Sequence, residues 1–213
     1  MRVALTRLTA SGLTVPRLAL PRLALAVALA LAAPVTMAPL PYLGAADPAL
    51  ADQTDPRLDH MFKRLLKAES ADEAEQIEGE IWAVWIKSGD EEADKLMATG
   101  WEAMQQHDFP TALDAFTKLV TQKPDFAEGW NKRATLYYLM EEDDKSLADI
   151  DKTLELEPRH FGAISGQGLI HFRHERYEEA AKAYQRVLDF DPMNAGAQGN
   201  LDAIKDIIKK KSI

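Results

Sequence analysis

Residues 157–172, EPRHFGAISGQGLIHF, set three glycines (Gly162, Gly166 and Gly168) within seven positions, ahead of an apolar run and a histidine. A phosphate-cradling loop needs such glycines in a strand-to-helix turn, where backbone N–H groups can approach the phosphates. No β-branched run precedes them. The preceding stretch, DKSLADIDKTLELEP (144–158), has helical spacing and ends in a proline. His171 stands where a third glycine is required, and no Gly-Lys-Ser/Thr follows. The glycines therefore belong to helical architecture, and a longer period explains them.

Pro124, Pro158 and Pro192 are spaced 34 residues apart. With these prolines at place 32, repeats begin at Ala93, Ala127 and Phe161. Place 8 then holds Gly100, Ala134 and Gly168, and place 20 holds Ala112, Ser146 and Ala180. Place 24 holds Phe116, Ile150 and Tyr184, and place 4 holds Leu96, Trp130 and Ile164. Places 4, 7, 8 and 11 follow one helix face, and 20, 24, 27 and 28 follow a second. Small residues at 8 and 20 allow the two helices to approach closely. The proline, lacking an N–H, ends the second helix and turns the chain. The expectation is an all-α stack of antiparallel helix pairs.

This pattern resembles the tetratricopeptide repeat family, which favours Trp at place 4, Gly at 8, Tyr at 11, Ala at 20, Phe or Tyr at 24 and Pro at 32. Trp130, Tyr137, Gly100, Gly168, Ala112, Ala180, Phe116, Tyr184 and all three prolines match. Ser146 at place 20, His171 at 11 and Asp143 at 17 depart from it, and the departures in the second repeat, Ser146 and Asp143, predict a looser helix pair there. The resemblance implies an α-solenoid with repeats at 93–126, 127–160 and 161–194. A C-terminal capping helix follows over 195–211, with Leu201, Ile204, Ile207 and Ile208 on one face. Residues 54–92 read as a degenerate helix pair one period upstream, with Phe62, Leu65, Trp82 and Trp85 at apolar places and Asp90 for the proline. Its tryptophans are expected in the core. Ser70 and Glu73 have the spacing of a capping box.

The resemblance further implies that places 2, 5, 6, 9, 12 and 13 line a concave groove. The residues expected there include Met97, Trp101 and Met104, then Asn131, Lys132, Thr135, Tyr138 and Leu139, then Leu169, Phe172 and Arg173. An aromatic, apolar lining of this kind suits a protein or peptide partner. Gly162, Gly166, Gly196 and Gly199 are expected to thin its floor near the C-terminal end. The family's chaperone-tail clamp uses Lys, Asn and Arg at places that hold Met97, Trp101, Lys132, Gly162 and Gly166 here, so the carboxylate clamp is absent.

Chemistry finds little support. His171 and His174 are three apart on one helix, but no third ligand joins them by spacing, so no metal or other cofactor is expected. No nucleophile elbow occurs, and the chain has no cysteine. The acids at Glu141–Asp144 and Glu178–Glu179 fall at turns and helix N-termini, where they favour the dipole. The expectation is a non-enzyme without a small-molecule substrate.

The N-terminus differs in character. Residues 1–46 carry Arg2, Arg7, Arg17 and Arg22 and no acid, and LALAVALALAA (23–33) follows. A basic start, a short apolar core and small residues describe a secretory signal over 1–51, with cleavage after Ala51 or alternatively after Ala46. Retention as an inner-membrane anchor is a second expectation, because Leu23–Ala46 is long enough to span, although Pro34, Pro39 and Pro41 interrupt it. A mitochondrial transit peptide fits less well, since those are amphipathic rather than solidly apolar. Without residues 1–51 the chain holds 21 basic and 33 acidic residues. Nucleic acid needs a basic footprint, so that acidic balance argues against it. The reading that results is a periplasmic interaction module, with self-association into a homodimer through Trp82 and Trp85 as the competing expectation.

Overall fold

A computed structural model describes residues 52–212. The signal, cleavage and anchor expectations lie outside the described residues. Among those described, no helix is long and apolar enough to cross a membrane.

The described residues form helices α1 (Arg57–Leu65), α2 (Ala71–Trp85), α3 (Glu91–Gln105), α4 (Phe109–Gln122), α5 (Ala127–Leu139), α6 (Asp143–Leu156), α7 (Phe161–Arg173), α8 (Tyr177–Phe190) and α9 (Ala195–Lys211). Helices α3–α4, α5–α6 and α7–α8 are the three 34-residue pairs, and α9 packs on α8. Each pair turns the same way. His107, Glu141 and Glu175 occupy the same place in successive repeats and all adopt left-handed backbone, with φ of 61, 61 and 55°. The next amide, of Asp108, Glu142 or Arg176, donates at 2.9 Å to the carbonyl of Ala103, Tyr137 or His171. This satisfies a carbonyl at the end of the first helix, at a cost of about 1 kcal/mol for each left-handed non-glycine residue.

Within a pair, the small residue at place 8 makes room for the aromatic ring at place 24. A Cβ on Gly100 would stand 2.5 Å from the Phe116 ring, and one on Gly168 would stand 3.0 Å from Tyr184. Phe116 is fully buried and Tyr184 nearly so. In the second pair, Ser146 is also buried, and its hydroxyl donates to the Ala134 carbonyl at 2.8 Å. That bond replaces the lost methyl contact. The second pair is as closely packed as the others, contrary to the looser closure that Ser146 suggested.

Helices α1 and α2 pair with each other but do not extend the stack. Neither makes an extended backbone approach to α3. Their buried residues Leu58, Phe62, Leu65, Ile77, Ile81 and Trp85 instead join one apolar cluster with Phe161 and Ile164 of α7, with Tyr184 of α8 and with Leu201 of α9. Gln53, just before α1, accepts a hydrogen bond from the Ala127 amide and so caps α5, whose own N-cap residue Phe126 provides no side-chain bond. Ser70 accepts from the Glu73 amide as the capping box requires, while the Glu73 carboxylate receives the Glu69 amide. The helix pair was legible in the sequence, but its folding back across the array was not.

Gly100→Ala is expected to lower stability by about 1–3 kcal/mol, because a buried ring with no room to move outweighs the gain in helix propensity. Gly199→Ala is the control. It sits in α9 with nothing within 4 Å of an added Cβ, so only the propensity gain of about 0.5–1 kcal/mol remains. Thermal melts should move in opposite directions for the two variants.

Candidate functional site

The concave face, lined by α3, α5 and α7, divides into two parts. The part nearest the turns between repeats is filled by α2. Trp85 stacks on His160, with ring centroids 4.2 Å apart and planes within 10°, and Trp82 meets His160 and Phe161 edge-on at 5.4 and 5.3 Å. Gly162, at groove place 2, is where the Trp82 ring lies. An added Cβ would stand 2.8 Å from it. Gly162 therefore accommodates the chain's own tryptophan rather than a partner's backbone.

Beneath these rings lies a buried polar cluster. Glu128 at groove place 2 is fully buried. Its carboxylate meets Lys132 Nζ at 2.8 Å, His160 Nε2 at 2.9 Å and Asn131 Nδ2 at 2.9 Å. His160 Nδ1 accepts the Ala163 amide and caps α7, so the proton of the neutral ring resides on Nε2 and is donated to Glu128. Burial alone would raise the Glu128 carboxyl. The Lys132 charge and the His160 hydrogen bond outweigh it and hold the group at about 2. Both imidazole nitrogens are committed, and the pair is closed to solvent, so this carboxylate–imidazole contact has no nitrogen to offer a substrate.

Lys132 lies between two tryptophans, 5.3 Å from the Trp82 ring centre and 4.8 Å from that of Trp101. This marks the boundary with the open part of the groove. There Trp101, Thr135, Tyr138, Leu169 and Phe172 are half-buried and Leu139 is exposed. Thr135 donates to the Asn131 carbonyl, and Phe172 packs edge-on to Tyr177 at 5.7 Å. Arg173 lies 3.9 Å over the Tyr138 ring and pairs with Asp143 at 2.7 Å. Asp143 also receives His174 at 2.8 Å and is itself buried, so this acid ties α6 to α7 rather than solvating a turn.

The sequence-predicted lining is thus sorted by tertiary structure. Met97 and Met104 are buried with Phe116, Phe126 and Leu136, and Asn131 is buried against Glu128, so these three are not presented to solvent. Both lining cations, Lys132 and Arg173, are already neutralised by Glu128 and Asp143. Of the two residues a homodimer would use, Trp85 is buried and Trp82 is partly buried against His160 and Phe161. His171 and His174 do not converge on a ligand set: His174 is bound to Asp143, and among the described residues no cluster suited to a metal ion occurs. Sequence reasoning placed Glu128 in the groove, at place 2, but missed its burial and its pairing with His160. The available signal was a carboxylate at groove place 2, paired with a histidine one residue before the next repeat.

Comparison with known proteins agrees with this architecture. The tetratricopeptide repeat profile matches residues 97–152 and 162–194. A TPR repeat-containing protein of Rhizobium etli is 37% identical over 150 residues, covering 70% of this chain and 74% of its own length. Hsp70-Hsp90 organizing protein 2 of Arabidopsis thaliana is 29% identical over 74% of this chain, but the match spans only 26% of that longer protein. Among solved structures, the first TPR of Spaghetti (RPAP3) bound to the HSP90 peptide SRMEEVD superposes with a TM-score of 0.53 at 26% identity. It covers 55% of this chain and 94% of that one.

Glu128→Gln should destabilise the fold by about 3 kcal/mol at pH 7, because Lys132 is left without its partner in a mostly buried setting. Since the carboxyl is depressed from 4.5 to about 2, its contribution is present above 4.5 and lost as pH falls towards 2. Urea unfolding at pH 7 and pH 3 should show the wild type and the variant converging in acid.

Proposed function

The chain belongs to the tetratricopeptide repeat family, and we propose that it is a non-catalytic interaction module that holds a peptide or helix of an envelope protein in a periplasm. The observation that carries this is the open part of the concave face. There Trp101, Tyr138, Leu139, Leu169 and Phe172 present aromatic and aliphatic surface. The RPAP3 domain is bound to a peptide ending in acidic residues. In this chain Lys132 and Arg173 are engaged by internal carboxylates, which favours a partner segment with apolar anchors over an acidic tail. The mature chain's acidic balance fits the same reading and disfavours nucleic acid.

A photo-crosslinking side chain at Leu139 is expected to trap a discrete partner from an envelope extract, and Trp101→Ala should abolish the adduct without changing helicity. The same crosslinker at Lys182, exposed on α8, should trap none. Equal adducts at both positions would overturn the groove assignment.

Export rests on the basic start, the LALAVALALAA core and Ala49-Leu50-Ala51. N-terminal sequencing of the protein recovered from the envelope should begin at Asp52, or at Asp47 for the alternative site. Both products retain Gln53 and the helix pair that follows it. An intact Met1 in membranes would mean an anchor, and an intact Met1 in the cytosol would overturn the periplasmic reading.

A further inference from the structure

The α1–α2 pair covers the inter-repeat part of the groove through side chains alone, with no extended backbone approach to α3–α9. It is held by the apolar cluster it shares with α7, α8 and α9 and by a small set of specific contacts. Trp82 and Trp85 lie on His160 and Phe161, Phe62 meets Phe190 at 6.3 Å, and Asp59 pairs with Arg159 at 2.7 Å on the surface. Its pivot is the Ile86–Asp90 connection, where Gly89 is left-handed at φ 70°. The pivot's array end is tied down by Ser88, whose amide and hydroxyl both donate to Asp94.

Midway along α2, Glu78 faces the turn between α8 and α9. The side-chain amide of Asn194 donates to Glu78 Oε1 at 3.2 Å and to Asp191 Oδ2 at 3.0 Å, so it bridges two carboxyl groups. Asp191 has no solvent exposure, and its other oxygen, Oδ1, is buried without a hydrogen-bond partner. Trp85 Nε1 is likewise buried and unpartnered. Unsatisfied groups of this kind weaken an interface, each by about 1–3 kcal/mol. Glu78 is also a hydrogen-bonding neighbour of Asp191, so a proton on Glu78 makes it a donor to that carboxylate. Two ionised carboxylates in that position repel instead.

We propose that α1–α2 is a proton-sensitive latch on the concave face, closed while Glu78 donates a proton to Asp191 and released when both carboxyls are ionised. Release uncovers Glu128, Lys132, His160 and the floor at Gly162, extending the open groove along its full width. The groups that bear on Glu78 are Asp191 and Asn194 across the interface and Glu75 one turn away on α2. Burial raises the Glu78 carboxyl first, Asp191 raises it further, and Asn194 only partly offsets them, so the group reaches about 8. The sign follows: the neutral form is the docked form. Docking is complete below the unperturbed value of 4.5, weakens as pH rises, and has lost the proton's contribution above about 8. The latch is a property of the isolated chain and stands or falls independently of any partner.

The test is hydrogen exchange on the full chain from pH 5 to 9, expressed as protection factors for α1–α2 and, separately, for α5 and α7. In the wild type the opening constant of α1–α2 should rise by up to about tenfold per pH unit towards pH 8 and then level off. Protection in α5 and α7 should persist. Glu78→Gln, whose amide donates to Asp191 at every pH, should remove this dependence and stay closed. Gly162→Ala, which drives a Cβ into the Trp82 ring, should open the pair at all pH values while α7 keeps its protection. Identical pH profiles for wild type and Glu78→Gln would overturn the proposal. So would loss of α1–α2 protection only in step with that of α5 and α7.

Discussion

A carboxylate that no water reaches must be neutralised where it stands, and Glu128 sets that requirement at the centre of the concave face. Lys132 provides the charge, while Asn131 and His160 provide hydrogen bonds. Meeting the requirement fixes the imidazole plane of His160, because its two nitrogens are held by Glu128 and by the first turn of α7. A ring held on both edges presents a flat face, and on that face Trp85 stacks. The stacking fixes where α2 meets α7, and the apolar cluster shared with α7, α8 and α9 holds the rest of the N-terminal helix pair. An isolated imidazole free to rotate could not specify that meeting.

The same contacts decide what the groove can bind. A cation held between a buried carboxylate and two indole rings is spent on structure, and Arg173, clamped by Asp143 and Tyr138, is spent likewise. What is left for a partner is apolar and aromatic surface near the turns within the repeats. Recognition there depends on area and shape more than on charge, so it is less sensitive to salt than carboxylate capture would be. A chain with no disulfide relies for its rigidity on the repeat core, and the N-terminal pair contributes to that core at one end of the array only.

Most of the architecture was legible because it is local. The 34-residue spacing of proline, small residue and aromatic ring encodes each helix pair through contacts between neighbours in sequence. Gly100 against Phe116 is one such contact, and Gly168 against Tyr184 is another. Even the departure at Ser146 is accommodated within its own repeat, by a hydroxyl donated to Ala134. Composition likewise restricted the chemistry, since a cysteine-free acidic chain has neither a thiol nucleophile nor a basic footprint. Place-by-place assignment of the lining was less secure. Met97 and Met104 have groove numbering, yet they pack beneath α5 because flexible side chains follow the nearest apolar space.

By itself, then, the sequence determined the helix pairs, their order, the inter-repeat turns and the family. Each of these depends on residues at most one period apart, and periodicity records such neighbours directly. Only the tertiary structure decided where α1 and α2 go, that Gly162 is space for Trp82, and that Glu128, Lys132 and His160 form one buried cluster. The contacts that place α1 and α2 join residues 50 to more than 100 positions apart, as in Trp82–Lys132, Trp85–His160 and Glu78–Asn194. No spacing rule reaches across them. They are set by which surfaces remain unsatisfied once the repeats have folded, and a buried carboxylate beside a capped imidazole is the surface that a pair of tryptophans could close.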